Sequence, residues 1–414
     1  MTDSKILNNV FYIWAFVLIA RPQDFIDALI PLRPAVSISV VVLILFAIYH
    51  GRYKTRYFDN PQCRLYIYLL AVMIISIPFA YYRRGAFEFV FTKYIITVVF
   101  FFIFYKIIDS EKKLHNIIWI ACLGTSLYLL CAMYRGETVS GRLKYGDMFD
   151  PNDLAFFALS FLPFNNLFLS KNDPWWKRII SLFNIIVSIL VILMTGSRGG
   201  FIALGVVVLM LLFAHSNIVK NIHKVILAML VVIAIVYGGL TIDFSRFKTI
   251  TQIGEDYNVW DETGRLEVWK RGIELMMSDP LTGVGITCFD EAIGRDRVER
   301  GLQNIWQPAH NSIVQIGVET GIIGMALFVL ISYKAFRIFS KAKSLGNSLY
   351  LLKIGEMARI GFAGHFVSSM FLSQAYSLYW VYFVALSSVL LRIGIDNVPS
   401  AMNVNNASKW SIKE

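Results

Sequence analysis

Charge is what this sequence has least of. Asp, Glu, Lys and Arg supply 16% of its 414 residues, where a soluble domain carries about one quarter. That scarcity excludes a water-soluble enzyme and a disordered chain. Cysteine is scarce too, at four, which excludes a disulfide scaffold. Alternation of polar with apolar residues is missing, so an outer-membrane barrel is excluded as well. Histidine numbers only six, and no His/Cys/Asp cluster has metal-ligand spacing. The expectation is no metal and no cofactor.

Apolar residues are what remains, at 57% of the chain with 15% aromatic. They fall in blocks at 6–21, 34–50, 65–82, 87–108, 113–134, 153–169, 178–195, 199–214, 223–241, 309–333, 352–374 and 376–394. A helix needs about 20 mostly apolar residues to cross the hydrocarbon core, because its backbone polar groups must be satisfied internally. The pattern predicts an all-α polytopic membrane protein with about twelve transmembrane helices. Helices 1–9 occupy 1–241, one long loop 242–308, helices 10–12 residues 309–394, and a tail 395–414. The first block follows a barely basic Met1–Lys5 and precedes no small-residue cleavage site, so it reads as a retained span.

Lys and Arg orient the spans. With the N-terminus inside, the inner segments hold 21 basic residues, and the short outer loops hold eight. Both termini are therefore expected in the cytoplasm. Most of the +11 net charge is this inner bias, so it does not argue for nucleic acid. The chemistry differs by side: 15 of the 21 inner residues are Lys, whereas the outer eight are Arg21, Arg33, Arg83, Arg84, Arg135, Arg142, Lys144 and Arg198. A guanidinium is a planar fork that grips phosphate bidentately. Outer arginines against the inner trend point to an anionic ligand, or to pairing with headgroups and local carboxylates.

Three patterns fall on that outer face. Thr195-Gly196-Ser197-Arg198-Gly199-Gly200 makes a tight turn between two spans. Arg198 opens the second helix, where an anion gains from free N–H groups and the dipole, while the glycines read as helix packing. In the long loop, Thr263 can cap a helix running to about Met277, with Leu266, Trp269, Ile273, Met276 and Met277 on one face. Arg265 sits in its first turn, the unfavourable end for a cation unless an anion is held there. Pairing with Glu262 or Glu267 is the alternative. Finally, Gln307-Pro308-Ala309-His310-Asn311-Ser312 leads into the tenth span. Pro308 suits a first-turn position, which puts His310 in the first turn, where the helix end lowers its pKa and suits it to act as a base. His310 is the one histidine expected outside; His365, within a span, is expected to hydrogen-bond another helix. Asp150-Pro151-Asn152-Asp153 resembles a metal pair but reads better as a cap, with Asp150 capping and Pro151 first in the helix.

Taken in order, these residues resemble a known family. The turn Thr195–Arg198, the Gly264-Arg265 followed by Trp269, Asp279-Pro280-Leu281-Thr282-Gly283-Val284-Gly285, His310-Asn311, and Glu319-Thr320-Gly321-Ile322-Ile323-Gly324 are similar to the bacterial O-antigen ligase and polymerase family over residues 145–330. Asp150–Asp153 fits as well. The resemblance implies a GT-C-type, inverting, metal-independent glycosyltransferase. Its donor would be a glycan on undecaprenyl diphosphate, its acceptor lipid A-core or, in a repeat-unit polymerase, a lipid-linked glycan. It would act on the periplasmic side of the inner membrane. The family's outer-loop histidine matches His310, and its two arginines match Arg198 and Arg265. Arg83, Arg84 and Arg142 are further candidates for binding diphosphate or acceptor phosphates. A transporter or lipid flippase is the rival class, but its two similar halves are missing here. A scaffold without chemistry leaves the outer His and Arg set unexplained.

Overall fold

The computed structural model describes residues 3–53, 55–146, 149–214, 224, 264–342 and 348–396. These are mostly helical: α1 (Asp3–Ala20), α2 (Pro34–Tyr49), α3 (Pro61–Ser76), α4 (Arg83–Glu88), α5 (Ile95–Ile107), α6 (Glu111–Arg135), α7 (Pro151–Phe161), α8 (Trp175–Met194), α9 (Arg198–Phe213), α10 (Arg265–Ser278), α11 (Phe289–Glu299), α12 (Ser312–Ser340), α13 (Leu349–Ser369) and α14 (Leu378–Asp396). A π-helical turn, Phe89–Tyr94, joins α4 to α5. Among the described residues, six helical segments are long and apolar enough to cross a membrane: Pro34–Arg52, Pro61–Phe79, Arg83–Ile107, Glu111–Arg135, Trp175–Met194 and Ser312–Ser340. Arg198–Phe213 and Leu378–Gly394 are shorter apolar helices. The expected span 223–241 lies outside the described residues except for Lys224, as do 242–263 of the expected loop and 397–414 of the tail.

Local sequence sets the helix starts. Asn60 caps α3 by accepting from the backbone of Gln62 and Cys63, and Pro61 follows where no N–H is needed. Asp150 does the same for α7 ahead of Pro151, as the sequence predicts. Ser197 caps α9, Asn311 caps α12 and Ser348 caps α13. A small antiparallel hairpin, β1 (Glu137–Val139) and β2 (Arg142–Lys144), was not expected from the sequence. Its two-residue turn, Ser140-Gly141, holds both residues at positive φ, as the twist of a tight hairpin demands.

Helix packing rests on aromatic rings and on buried hydrogen bonds. Phe11, Trp14, Phe100 and Phe104 interlock α1 with α5, and Phe161, Tyr379, Tyr382 and Phe383 join α7 to α14. Buried amides bridge helices where no water competes: Asn184 donates to Asn165 at 3.0 Å, and Gln62 donates to Ser387 at 3.0 Å. His365 pairs with Ser160 at 3.0 Å, the interhelical role expected of it.

The long helix α12 is broken. Gly321 sits at φ 72 and ψ −177, nine residues after Ser312, which is roughly 13 Å along the axis. The break frees backbone groups that the segment Asp279–Gly285 then satisfies. Val284 N–H donates to the Val318 carbonyl at 2.9 Å and Gly285 N–H to that of Glu319 at 3.1 Å, while Ile322 N–H donates to Pro280 at 2.8 Å. Irregular backbone inside a membrane helix is tolerated only where protein covers it. A Cβ on Gly321 would lie 2.5 Å from the Pro280 carbonyl oxygen, so the two strands of chain meet without room for a side chain.

Candidate functional site

The loops expected outside gather at one end of the bundle. The turn between α8 and α9 is the first part. Thr195 closes α8 through its hydroxyl on the Ile192 carbonyl, Gly196 turns the chain at φ 56, and Ser197 starts α9. Arg198 is therefore the first residue of α9 and is half-buried. Gly199 beside it is packing, as expected: a Cβ there would lie 2.8 Å from Cβ of Phe371. Arg142, presented by β2, ties this turn to the start of α7. Its Nε donates to the Thr195 carbonyl at 2.8 Å and its guanidinium donates to Asn152 at 2.6 Å.

The second part is the start of α12. Asn311 is its cap, accepting from Ile313 and Val314 at 3.0 and 3.2 Å. His310 is therefore not in the first turn, as the Pro308 reading expects, but one residue before the cap at φ 46. The physical reason is that Asn311 supplies the side-chain acceptor the orphan N–H groups need, and the helix starts behind it. His310 is half-buried, and its backbone N–H donates to Ser373 Oγ at 3.0 Å. The turn 371–377 is sewn to this corner by further bonds. Ser312 donates to the Leu372 carbonyl at 2.9 Å, Gln374 N–H donates back to Ser312 at 3.0 Å, and the Gln374 amide reaches Asp153 at 2.8 Å.

The third part is α10. It starts at Arg265 with Gly264 before it; Thr263, the expected cap, lies outside the described residues. Arg265 is half-buried in the first turn, and Glu267 pairs with Arg271 at 2.8 Å. Trp269 donates its indole N–H to the Ala309 carbonyl at 2.7 Å, which holds α10 against the residue before His310. The expected apolar stripe splits. Met276 packs inward with Val268, while Leu266, Ile273 and Met277 stay exposed. The sequence merged two neighbouring faces because periodicity alone does not say which side the partner helix takes.

Electrostatics links the parts. His310 is held below its ordinary pKa, first by burial and then by the Arg265 guanidinium, with Asp150 opposing. The direction matches the sequence reading, but the cause is burial and a facing cation in place of the helix dipole. Arg265, Asp150 and His310 thus share one corner. From sequence Asp150 was read as a cap within a stretch that fits the family resemblance, with no link to His310. Arg83 and Arg84 are on α4, both exposed; Arg84 pairs along its own helix with Glu88 at 3.0 Å, the two side chains being 80% and 51% exposed. Among the described residues no group of His, Cys, Asp and Glu could hold a metal ion.

Comparison with curated proteins gives no match. Residues 183–329 match the family described as O-Antigen ligase. The stretch runs from within α8 to within α12 and contains Arg198, Arg265 and His310 together, so over about a third of its length the chain is similar to the O-antigen ligase family.

Proposed function

We propose that the chain transfers a glycan from undecaprenyl diphosphate to lipid A-core at the periplasmic face of the bacterial inner membrane. In this reading about twelve helices span the membrane and both termini are cytoplasmic. His310 takes the proton from an acceptor sugar hydroxyl as that oxygen attacks the anomeric carbon. The new C–O bond forms as the bond from the anomeric carbon to the phosphate oxygen breaks, and undecaprenyl diphosphate leaves with the electron pair. Displacement from the opposite face inverts the anomeric centre. Diphosphate is a stable anion, so the site need not protonate it; it needs positive charge where negative charge grows. Arg198 and Arg265 supply that charge, with donors of this sort worth roughly 3–4 kcal/mol each. Arg142 holds the Arg198 turn in place, and Arg83 and Arg84 offer outlying charge to the phosphates of donor or acceptor.

One observation carries the reading: His310 lies in a half-buried corner that Arg265 shares, and burial and that guanidinium both lower its pKa and so favour the neutral imidazole. A neutral imidazole is a base, and a nearby fixed guanidinium is an anion site. The test is reconstitution of the purified chain with lipid-linked glycan and lipid A-core. Wild type should form the joined product, and His310→Ala should lose ~10²-fold or more in rate with insertion intact. Equal rates would overturn the base assignment. If the chain instead lengthens a second lipid-linked glycan, it is a repeat-unit polymerase using the same chemistry.

A further inference from the structure

One buried carboxylate takes no part in the mechanism above. Glu319 lies on α12 two residues before the break and is 1% exposed. The Tyr376 hydroxyl donates to its Oε2 at 2.6 Å. Thr287 and Phe289 place their backbone beside the same acid. Thr287 adopts a φ of 59 and Phe289 is the first residue of α11. A carboxylate is acceptor-only and takes the Tyr376 hydroxyl. Leaving that hydroxyl without a partner in a buried place is costly.

The two sides of Glu319 lead to the two halves of the site. Tyr376 belongs to the turn 371–377, whose Ser373 accepts from the His310 backbone. Thr287 and Phe289 belong to the segment that follows α10, and α10 begins with Arg265. That segment is also the one that patches the α12 break at Val318 and Glu319. We propose that Glu319 is a positioning residue for the transfer reaction, its carboxylate fastening the His310 turn and the Arg265 loop to the same point on α12. The proposal rests on the glycan-transfer reading, because it assigns Glu319 a place behind the base and the anion site of that reaction.

The charged groups bearing on His310 are Arg265 from α10 and Asp150 from the start of α7. Those facing Glu319 are Tyr376, Cys288 and Asp290. Loosening the fastening lets water reach His310 and lets Arg265 drift from it. Both changes return the imidazole toward its ordinary pKa.

The experiment uses the full chain in nanodiscs with lipid-linked glycan and acceptor, comparing wild type, Glu319→Gln and Tyr376→Phe. Gln offers an N–H₂ where a donor already points, and Phe deletes one hydroxyl while keeping the ring. Each variant is expected to lower kcat, by up to about 10²-fold, with KM for the donor little changed. The acid limb of the rate profile should move to higher pH. Amide exchange at Val284 and Gly285 should quicken. Loss of folded protein alone lowers kcat and leaves the acid limb where it was; that result overturns the proposal, as do wild-type rates in both variants. If the wild-type chain transfers no glycan to any acceptor, the transfer reading itself fails, a different result from a failure of Glu319 to matter in an active chain.

Discussion

At the scale of the residue, the proposed base is one imidazole, flanked by charges of both signs. Burial and Arg265 lower the His310 pKa from its ordinary 6.5, and Asp150 works against them. If the neutral form is the base, activity holds at pH values above that lowered pKa and falls as the pH drops through it. Arg265→Gln removes a cation, so the His310 pKa rises and the acid limb of kcat/KM moves to higher pH, on top of any loss of rate. Asp150→Asn removes an anion, so the limb moves to lower pH. The pair of pH profiles checks both signs, and movement in the same direction for both would break the assignment. Arg198 and Arg265 stand at the helix starts the sequence assigned them, whereas His310, expected in a first helical turn, stands one residue ahead of the Asn311 cap. Asp150, Ser373, Glu319 and Tyr376 were not legible as a group. Their partners lie 57 to 63 positions away in the chain or on another helix, and local spacing carries no trace of such pairs.

At the scale of the element, α12 is the informative case. Hydropathy read it as one apolar span, and the helix does run from Ser312 to Ser340. The break at Gly321 was hidden because a window of apolar residues averages over one glycine. The motif Asp279–Gly285 was visible in the sequence but without a purpose; the structure supplies one, since its backbone completes the broken helix. Gly321→Ala should be tolerated poorly. The new Cβ would meet the Pro280 carbonyl at 2.5 Å and would sit at φ 72, which disfavours any L side chain. A loss of about 1–3 kcal/mol in stability is expected, read as earlier unfolding of the detergent-solubilised chain. The reverse lesson comes from helix starts. Asn60, Asp150, Ser197, Asn311 and Ser348 all cap as their residue type dictates, because a cap is satisfied within three residues and needs no distant partner.

At the scale of the whole molecule, the helices place two sets of loops at opposite ends. One end holds the hairpin, the α8–α9 turn and His310; Arg142 and Gln374 bridge its parts. The other holds Lys177 near His115, and Arg392 on the carbonyls of Tyr105 and Ile108. Lys177 and Arg392 thus share one end and Arg142 stands at the other, which the proposed topology places outside. Single cysteines at Ser140 and Lys171, in a chain whose own four cysteines are removed, should react with an impermeant maleimide from opposite sides of sealed vesicles. Ser140→Cys should label from the periplasmic side; labelling of both from one side would discard the topology. The stitched break in α12 also sets an order of birth. Residues 279–285 leave the ribosome before the helix they must complete, so their final shape waits for a partner still being made. Until that partner is threaded into the bilayer, its interrupted backbone has no companion, and the finished form of the proposed catalytic corner is a product of membrane integration as much as of folding.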